Sequence, residues 1–285
     1  MMIENKTIAI IGLGLLGGSI AKTLREKAEN MNIIGITRNK NLFTNEEAQK
    51  VFTTISSDIT DVKEADIIII STPIKSIIAT IAKLKGVAKK GAIITDVGSV
   101  KRTIINAATV LPKDVCFVGG HPMAGSHLSG FNHSSSSLFL GVTWAVCPAK
   151  NAVATDVVVE LANFLGAEPI IISPDAHDKL VSASSHLPHV VAGVLADHIL
   201  SGDNTGVELF IATGFLDTTR IAASDPVMWE EIINNNKDYI VKSLSGFQKR
   251  LNIWQKAIKE NDVAQLTALL ANAKQVRDGV AKKAK

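Results

Sequence analysis

Residues 7–24 read T-I-A-I-I-G-L-G-L-L-G-G-S-I-A-K-T-L, an apolar run that breaks into glycines and resumes with helical spacing. Such a pattern predicts a strand, a tight turn and a helix whose stripe continues through Ile20, Leu24 and Ala28. Gly12, Gly14 and Gly17 make the spacing G-x-G-x-x-G. In that spacing the first glycine permits a sharp turn, the second lets a pyrophosphate approach the backbone, and the third lets helix pack on strand. The helix, opening at Leu15, then presents free N–H groups and its positive dipole end to the phosphates. Gly12, Gly14, Leu15 and Gly17 are therefore the first candidates for binding a dinucleotide.

Working outward, Asn32–Thr37 (N-I-I-G-I-T) reads as the second buried parallel strand of a nucleotide-binding half. An NAD site commonly carries an acidic residue about 20 positions beyond the first glycine, to accept from the ribose hydroxyls. Here Thr37 and Arg38 stand at the strand end. Both are cofactor-binding candidates, and Arg38 leans the reading toward NADP, because a guanidinium can pair with the extra phosphate. NAD, with a solvated Arg38 and no acidic partner, is the alternative. Ala65–Ser71 is a further apolar strand, followed by Thr72 and Pro73 as expected N-cap and first helical position. Thr72 joins the cofactor-binding set from its place at the strand end. Ile74, Ile77, Ile78, Ile81 and Leu84 give the next helix its apolar face.

Ala92–Val97 is another strand, ending in Asp96, Gly98, Ser99, Val100 and Lys101, and carboxyl ends of strands are where such folds hold ligands. Ser99 reads as the N-cap of the helix that follows, a role that leaves its hydroxyl able to touch a ligand as well. Val115–Val118 opens into G-G-H-P-M-A-G-S, where His121 sits between glycines and proline, placed to face a substrate. His133–Ser137 (H-S-S-S-S) reads as a surface loop.

From Ser173-Pro174-Asp175 onward no strand is expected, and the alternation of strand and helix gives way to helices alone. The boundary is thus set between residues 173 and 174: an α/β Rossmann-type domain with a parallel sheet over 1–173, and an all-α domain over 174–285. His186 and His189 flank a bend expected at Pro188. They lack an evident third ligand, so no metal site is expected. Arg220 either pairs with Asp217 or forks a ligand carboxylate. Asp225-Pro226 caps another helix. Ile240, Leu244, Phe247, Leu251, Trp254 and Ile258 then form a heptad seam that predicts packing between subunits, most simply as a homodimer.

Composition narrows the classes. A chain of 285 residues, 46% hydrophobic, can bury a sizeable core, and 30 Lys and Arg against 27 Asp and Glu give only +3. Neither nucleic acid nor a membrane surface is an expected partner, whereas a small anionic substrate is. Cys116 and Cys147 have no metal-binding or redox spacing and read as buried thiols. Without a leader pattern or a spanning run, the expected location is cytoplasmic.

Taken together, G-L-G-L-L-G-G-S, D-V-G-S-V-K, G-G-H-P-M-A-G-S, S-H-L-P-H and T-R-I-A-A-S-D-P-V-M-W resemble the prephenate/arogenate dehydrogenase family of tyrosine biosynthesis. The resemblance runs from Gly12 to the C-terminal helices. It implies a Rossmann-type domain, a helical dimerisation domain, and oxidative decarboxylation of prephenate, or alternatively arogenate, with hydride transfer to NADP or NAD. It also implies His121 as catalytic base and Ser99 as its helper at the same hydroxyl. Arg220 becomes the clamp on a substrate carboxylate, with His186, His189 and Trp229 lining the pocket. A β-hydroxyacid dehydrogenase would need a catalytic lysine in the helical part, for which no good candidate exists. A non-enzymatic NAD(P)-sensing regulator would need neither His121 nor Arg220.

Overall fold

A computed structural model describes residues 2–125, 128–199 and 206–283. Eight strands form one sheet: β1 (Thr7–Ile11), β2 (Asn32–Ile36), β3 (Thr54–Ser56), β4 (Ile67–Ile70), β5 (Ile93–Asp96), β6 (Cys116–Pro122), β7 (Thr143–Cys147) and β8 (Glu168–Ile171). Their order is β3-β2-β1-β4-β5-β6-β7-β8. All neighbours are parallel except β6 and β7, which pair antiparallel with His121 opposite Ala145. The strand order reverses between β1 and β4. Open sheets of this kind bind ligands in the crevice at that reversal.

The interleaved helices are α1 (Leu15–Lys27), α2 (Glu46–Val51), α3 (Ile74–Leu84), α4 (Arg102–Ala107) and α5 (Ala152–Phe164). Successive strand side chains point to opposite faces, so each isoleucine run feeds two cores. Ile8, Ile10, Ile67 and Ile69 pack with Ile20 and Leu24 of α1, and Val158 and Leu161 of α5 share the same core. On the other face Ile68, Ile70 and Ile94 pack with Ile77 and Ile81 of α3 and Ile104 of α4. Each such fully buried side chain contributes about 1.5–3 kcal/mol, which is why both faces of β4 must be apolar.

After the sheet come α6 (Pro174–Val181), a π-helical turn (Ser182–His186), α7 (Leu187–Ile199), α8 (Thr213–Thr219) and α9 (Pro226–Asn235). Ser173 caps α6 by accepting from Ala176 N at 3.2 Å. Asp225 caps α9 by accepting from Val227 N and Met228 N. Both caps carry proline at the first helical position, as expected. By packing, the chain separates into residues 1–236 and 237–285. That break is later than the change in composition at 173, because α4 and α6 pack together and hydrogen bonds join them. The second unit comprises α10 (Lys237–Lys259) and α11 (Val263–Lys283), packed against each other.

Several local expectations are corrected. The strand expected to stop at Val118 runs to Pro122, because its last four residues find partners on β7. The short β3 went unread, since three residues show no periodicity. Pro73 occupies the N-cap of α3 and Thr72 caps nothing. Lys101, not Ser99, is at the N-cap of α4. The bend expected at Pro188 is instead a π turn immediately before it, which lets the helix continue around the missing N–H. The serine tract is tied to α1: Ser135 N donates to Ser19 Oγ at 2.9 Å, Lys22 Nζ to Ser134 O at 3.0 Å, and Thr23 Oγ1 to Ser136 O at 3.0 Å.

Candidate active site

The glycine turn follows β1, beside the end of β4. Gly12 has φ +98°, a conformation that side chains rarely adopt, and a Cβ there would lie 2.3 Å from Ser71 O and 2.6 Å from Thr72 Cγ2. A Cβ on Gly17 would lie 2.0 Å from Gly12 O, so α1 can approach the turn only without one. Gly14, by contrast, faces open space. Close backbone contact is thus required at the first and third glycines and left free at the second, where a pyrophosphate would lie. Thr72 Oγ1, next to this turn, is buried with no hydrogen-bond partner among the described residues, a cost of about 1–3 kcal/mol unless a ligand or water meets it. These features fit a dinucleotide. Gly12, Gly14, Leu15 at the start of α1 and Gly17 would hold its phosphates, with Thr72 alongside.

At the end of β2, Thr37 is buried, donates its N–H to Ser56 O at 2.9 Å, and accepts from Asn39 N at 3.1 Å through Oγ1. Arg38, the next residue, is exposed. No acidic side chain stands at either position.

A second constellation gathers at the ends of β5 and β6. The Asp96 carboxylate accepts from Gly98 N at 2.8 Å, from Gly120 N at 3.1 Å and from Lys101 Nζ. Lys101 is fully buried and also donates to Gly120 O at 2.6 Å. This pair of charges clamps the strand ends that carry Ser99 and His121. Gly120 has no room for a side chain, as a Cβ would lie 2.4 Å from Asp96 O.

His121 Nδ1 lies 2.8 Å from His177 Nε2, and His177 Nδ1 lies 2.8 Å from Asp178 Oδ1. Asp178 also accepts from Lys101 N at 2.7 Å, Arg102 N at 2.9 Å and Arg102 Nε at 3.3 Å. A carboxylate 76 residues away in sequence from Arg102 therefore satisfies the start of α4, which is why Ser99 is not needed as its cap. Burial first, then electrostatic interaction with His177, Lys101 and His186, holds His121 well below the usual imidazole pKa. Burial pushes Asp178 up, but hydrogen bonds from His177 and from the Arg102 and Lys101 N–H groups outweigh it and leave the carboxyl below its ordinary range. Both directions favour a neutral His121 and an ionised Asp178.

Asn236 extends the network. Its Nδ2 donates to Asp178 O at 2.8 Å and approaches His186 Nδ1 at 3.1 Å. His186 is lowered to about 4, chiefly by burial. Its ring meets Trp229 edge-on at 6.0 Å, while His189 stacks on Trp229 at 3.4 Å and 6°. Burial lowers His189 as well, and its Nδ1 is buried without a partner among the described residues. A cavity of about 400 Å³ opens here, lined by His189, Ala222, Ser224, Trp229 and Ile233 among others.

The structure therefore brings His121 into one network with His186, and His186 and His189 onto Trp229. It does not join Ser99 or Arg220 to them. Arg220 is exposed at the start of the helical turn Arg220–Ala223, which packs on α7. Among the described residues it forms no ion pair with Asp217. His177, Asp178 and Asn236 were missed in the sequence. The adjacent H-D pair in the first turns of α6 was the available signal, but its partners lie 56 and 77 residues away.

The fold and these two centres define a nucleotide-binding dehydrogenase. A family model described as prephenate dehydrogenase, nucleotide-binding domain, matches residues 20–171, and one described as prephenate dehydrogenase, dimerization domain, matches residues 173–272. The chain belongs to the prephenate dehydrogenase family and is an NAD(P)-dependent enzyme. It is 35% identical to prephenate dehydrogenase of Bacillus subtilis (strain 168), over 96% of this chain and 76% of that one. The crystal structure of prephenate dehydrogenase from A. aeolicus, in complex with hydroxyphenyl propionate and NAD+, is 30% identical with a TM-score of 0.91, covering 98% of this chain and 100% of that one. Synechocystis arogenate dehydrogenase is 27% identical with a TM-score of 0.84, covering 96% and 99%. No helix among the described residues is long and apolar enough to cross a membrane.

Proposed function

We propose that this enzyme converts prephenate to 4-hydroxyphenylpyruvate by oxidative decarboxylation, with His121 as the base. The observation that carries the reading is a histidine kept neutral at a strand end of the same sheet that bears the glycine turn. When bound, the nicotinamide supplies the acceptor for hydride from C4 of the cyclohexadienol. His121 takes the proton of the C4 hydroxyl and returns it to the phenolate oxygen once the ring carboxylate has left as CO2. Ser99 hydrogen-bonds the same hydroxyl. Arg220, with no competing ion pair among the described residues, pairs with a substrate carboxylate, and its fixed fork suits two parallel hydrogen bonds. His186, His189 and Trp229 wall the pocket.

Arogenate is the second reading, favoured by the likeness to Synechocystis arogenate dehydrogenase. His189 supports prephenate, because a hydrogen-bonding ring suits a keto acid better than an ammonium. For the cofactor, Thr37 and Arg38 in place of an acidic residue support NADP, while the A. aeolicus complex with NAD+ supports NAD. The cofactor and substrate parts divide between 173 and 174. Two copies associate through the helical part, since along the heptad seam Phe247, Leu251 and Ile258 remain exposed within one chain, and sedimentation at several concentrations would show a dimer.

The function is tested by following reduced-nicotinamide absorbance while crossing prephenate and arogenate with NAD and NADP. Reduction with prephenate supports the reading and identifies the cofactor. Reduction with arogenate alone transfers it to the second substrate, and no reduction by folded, cofactor-binding protein overturns both.

A further inference from the structure

The ring nearest His121 has no part in the reaction as written. We propose that His177 and Asp178 are a positioning pair that selects the tautomer of His121, fixing the proton on Nδ1 and leaving Nε2 as the basic nitrogen. The proposal rests on His121 being the base and adds how that base is oriented.

The argument is one of donors and acceptors. An ionised carboxylate can only accept, and Asp178 already accepts from Lys101 N, Arg102 N and Arg102 Nε. The remaining close contact, His177 Nδ1 at 2.8 Å, must therefore be an N–H donor. In the neutral ring of His177 the lone pair then falls on Nε2, 2.8 Å from His121 Nδ1. His121 must supply the hydrogen in that contact, so its own lone pair is at Nε2. Both His177 and Asp178 are buried, so bulk solvent does not compete for these contacts.

The surrounding polar groups are committed elsewhere. Lys101 is held by Asp96 and Gly120 O, Arg102 by Asp178 and Asp175, and His186 by Asn236. When His121 Nε2 takes the hydroxyl proton, the ring becomes imidazolium with Nδ1–H still donating to His177, whose Nδ1–H still donates to Asp178. One proton moves, and the new positive charge is stabilised by a carboxylate reached through a neutral ring. The geometry has the logic of a carboxylate orienting a catalytic histidine, with one additional imidazole between them.

The test has two arms. Histidine ¹⁵N spectra of the ligand-free protein, with His121 assigned by comparison with His121→Asn, should show His121 protonated at Nδ1. A signal protonated at Nε2 overturns the proposal, and this arm stands even if neither substrate is turned over and the assigned reaction fails. In steady-state kinetics, His177→Leu should lower kcat by about 10- to 100-fold, the usual effect of losing such a supporting bond, with KM and cofactor affinity nearly unchanged. His177→Gln keeps a carbonyl acceptor at the distance of the lost nitrogen and should recover most of the loss. Unchanged kcat in His177→Leu, or no recovery with Gln, contradicts the proposal while leaving His121 as the base. Should His177→Leu fail to fold, the Gln variant and the spectra of the wild-type protein still decide it.

Discussion

The turn after β1 and the end of β6 are built by opposite physical means. At the first, the form comes from side chains that are missing: Gly12 and Gly17 have no room for a Cβ, and Gly14 faces open space. At the second it comes from polar side chains that are present and buried, with Asp96, Lys101, His177, Asp178 and Asn236 fixed around His121. The first site is local, complete within six residues, and the second is assembled by hydrogen bonds that reach as far as 77 positions along the chain. A site made by omission tolerates no addition, whereas a site made by convergence tolerates no subtraction.

The sharpest way to break this contrast is at the base. His121→Asn should lower kcat by two orders of magnitude or more, the usual scale for a positioned base, read by initial rates at saturating substrate. Unchanged turnover would remove its role. Next in size, Arg220→Gln should raise the substrate KM by about 10- to 100-fold, corresponding to loss of a charge-assisted pair of hydrogen bonds, with kcat little altered. Within the glycine turn, Gly17→Ala should cost about 1–3 kcal/mol of stability from overpacking against Gly12 O. Gly14→Ala should melt within a few degrees of wild type yet bind cofactor about tenfold less tightly. Equal effects at the two glycines would mean that the space at Gly14 is not a ligand's.

The smallest effect is one of pH. His186 is lowered from 6.5 to about 4, so it stays neutral in the folded chain while the unfolded chain binds a proton below pH 6.5. Its contribution is fully present above pH 6.5 and is lost as pH falls toward 4, at no more than about 1.4 kcal/mol per pH unit. His186→Gln should flatten the fall of Tm across that window. The same sign at His121 places the acid limb of kcat/KM below pH 6.5.

This difference in locality also explains what could be read from the sequence. The three glycines announce their tasks by spacing, and the isoleucine runs of β4 and α3 announce burial and periodicity. His121 was visible through its glycine and proline neighbours. His177 was not, because the adjacent H-D pair in its helix is too slight a mark alone, and its meaning depends on β6 arriving beside it. Ser99 was expected to cap α4 on local grounds, but a carboxylate from another element reached the same N–H groups. The parallel sheet was legible, and the antiparallel turn of β7 was not, since strand direction is decided by the connection and not by the strand's residues.

The most direct measurement is calorimetric titration of NAD and NADP into His121→Asn beside the wild-type protein. If the two centres are separate devices on one sheet, the better cofactor binds both proteins within about twofold while turnover of the variant collapses. A tenfold or greater weakening in the variant would show that His121 belongs to the cofactor site and would contradict the division between a cradle of glycines and a histidine base.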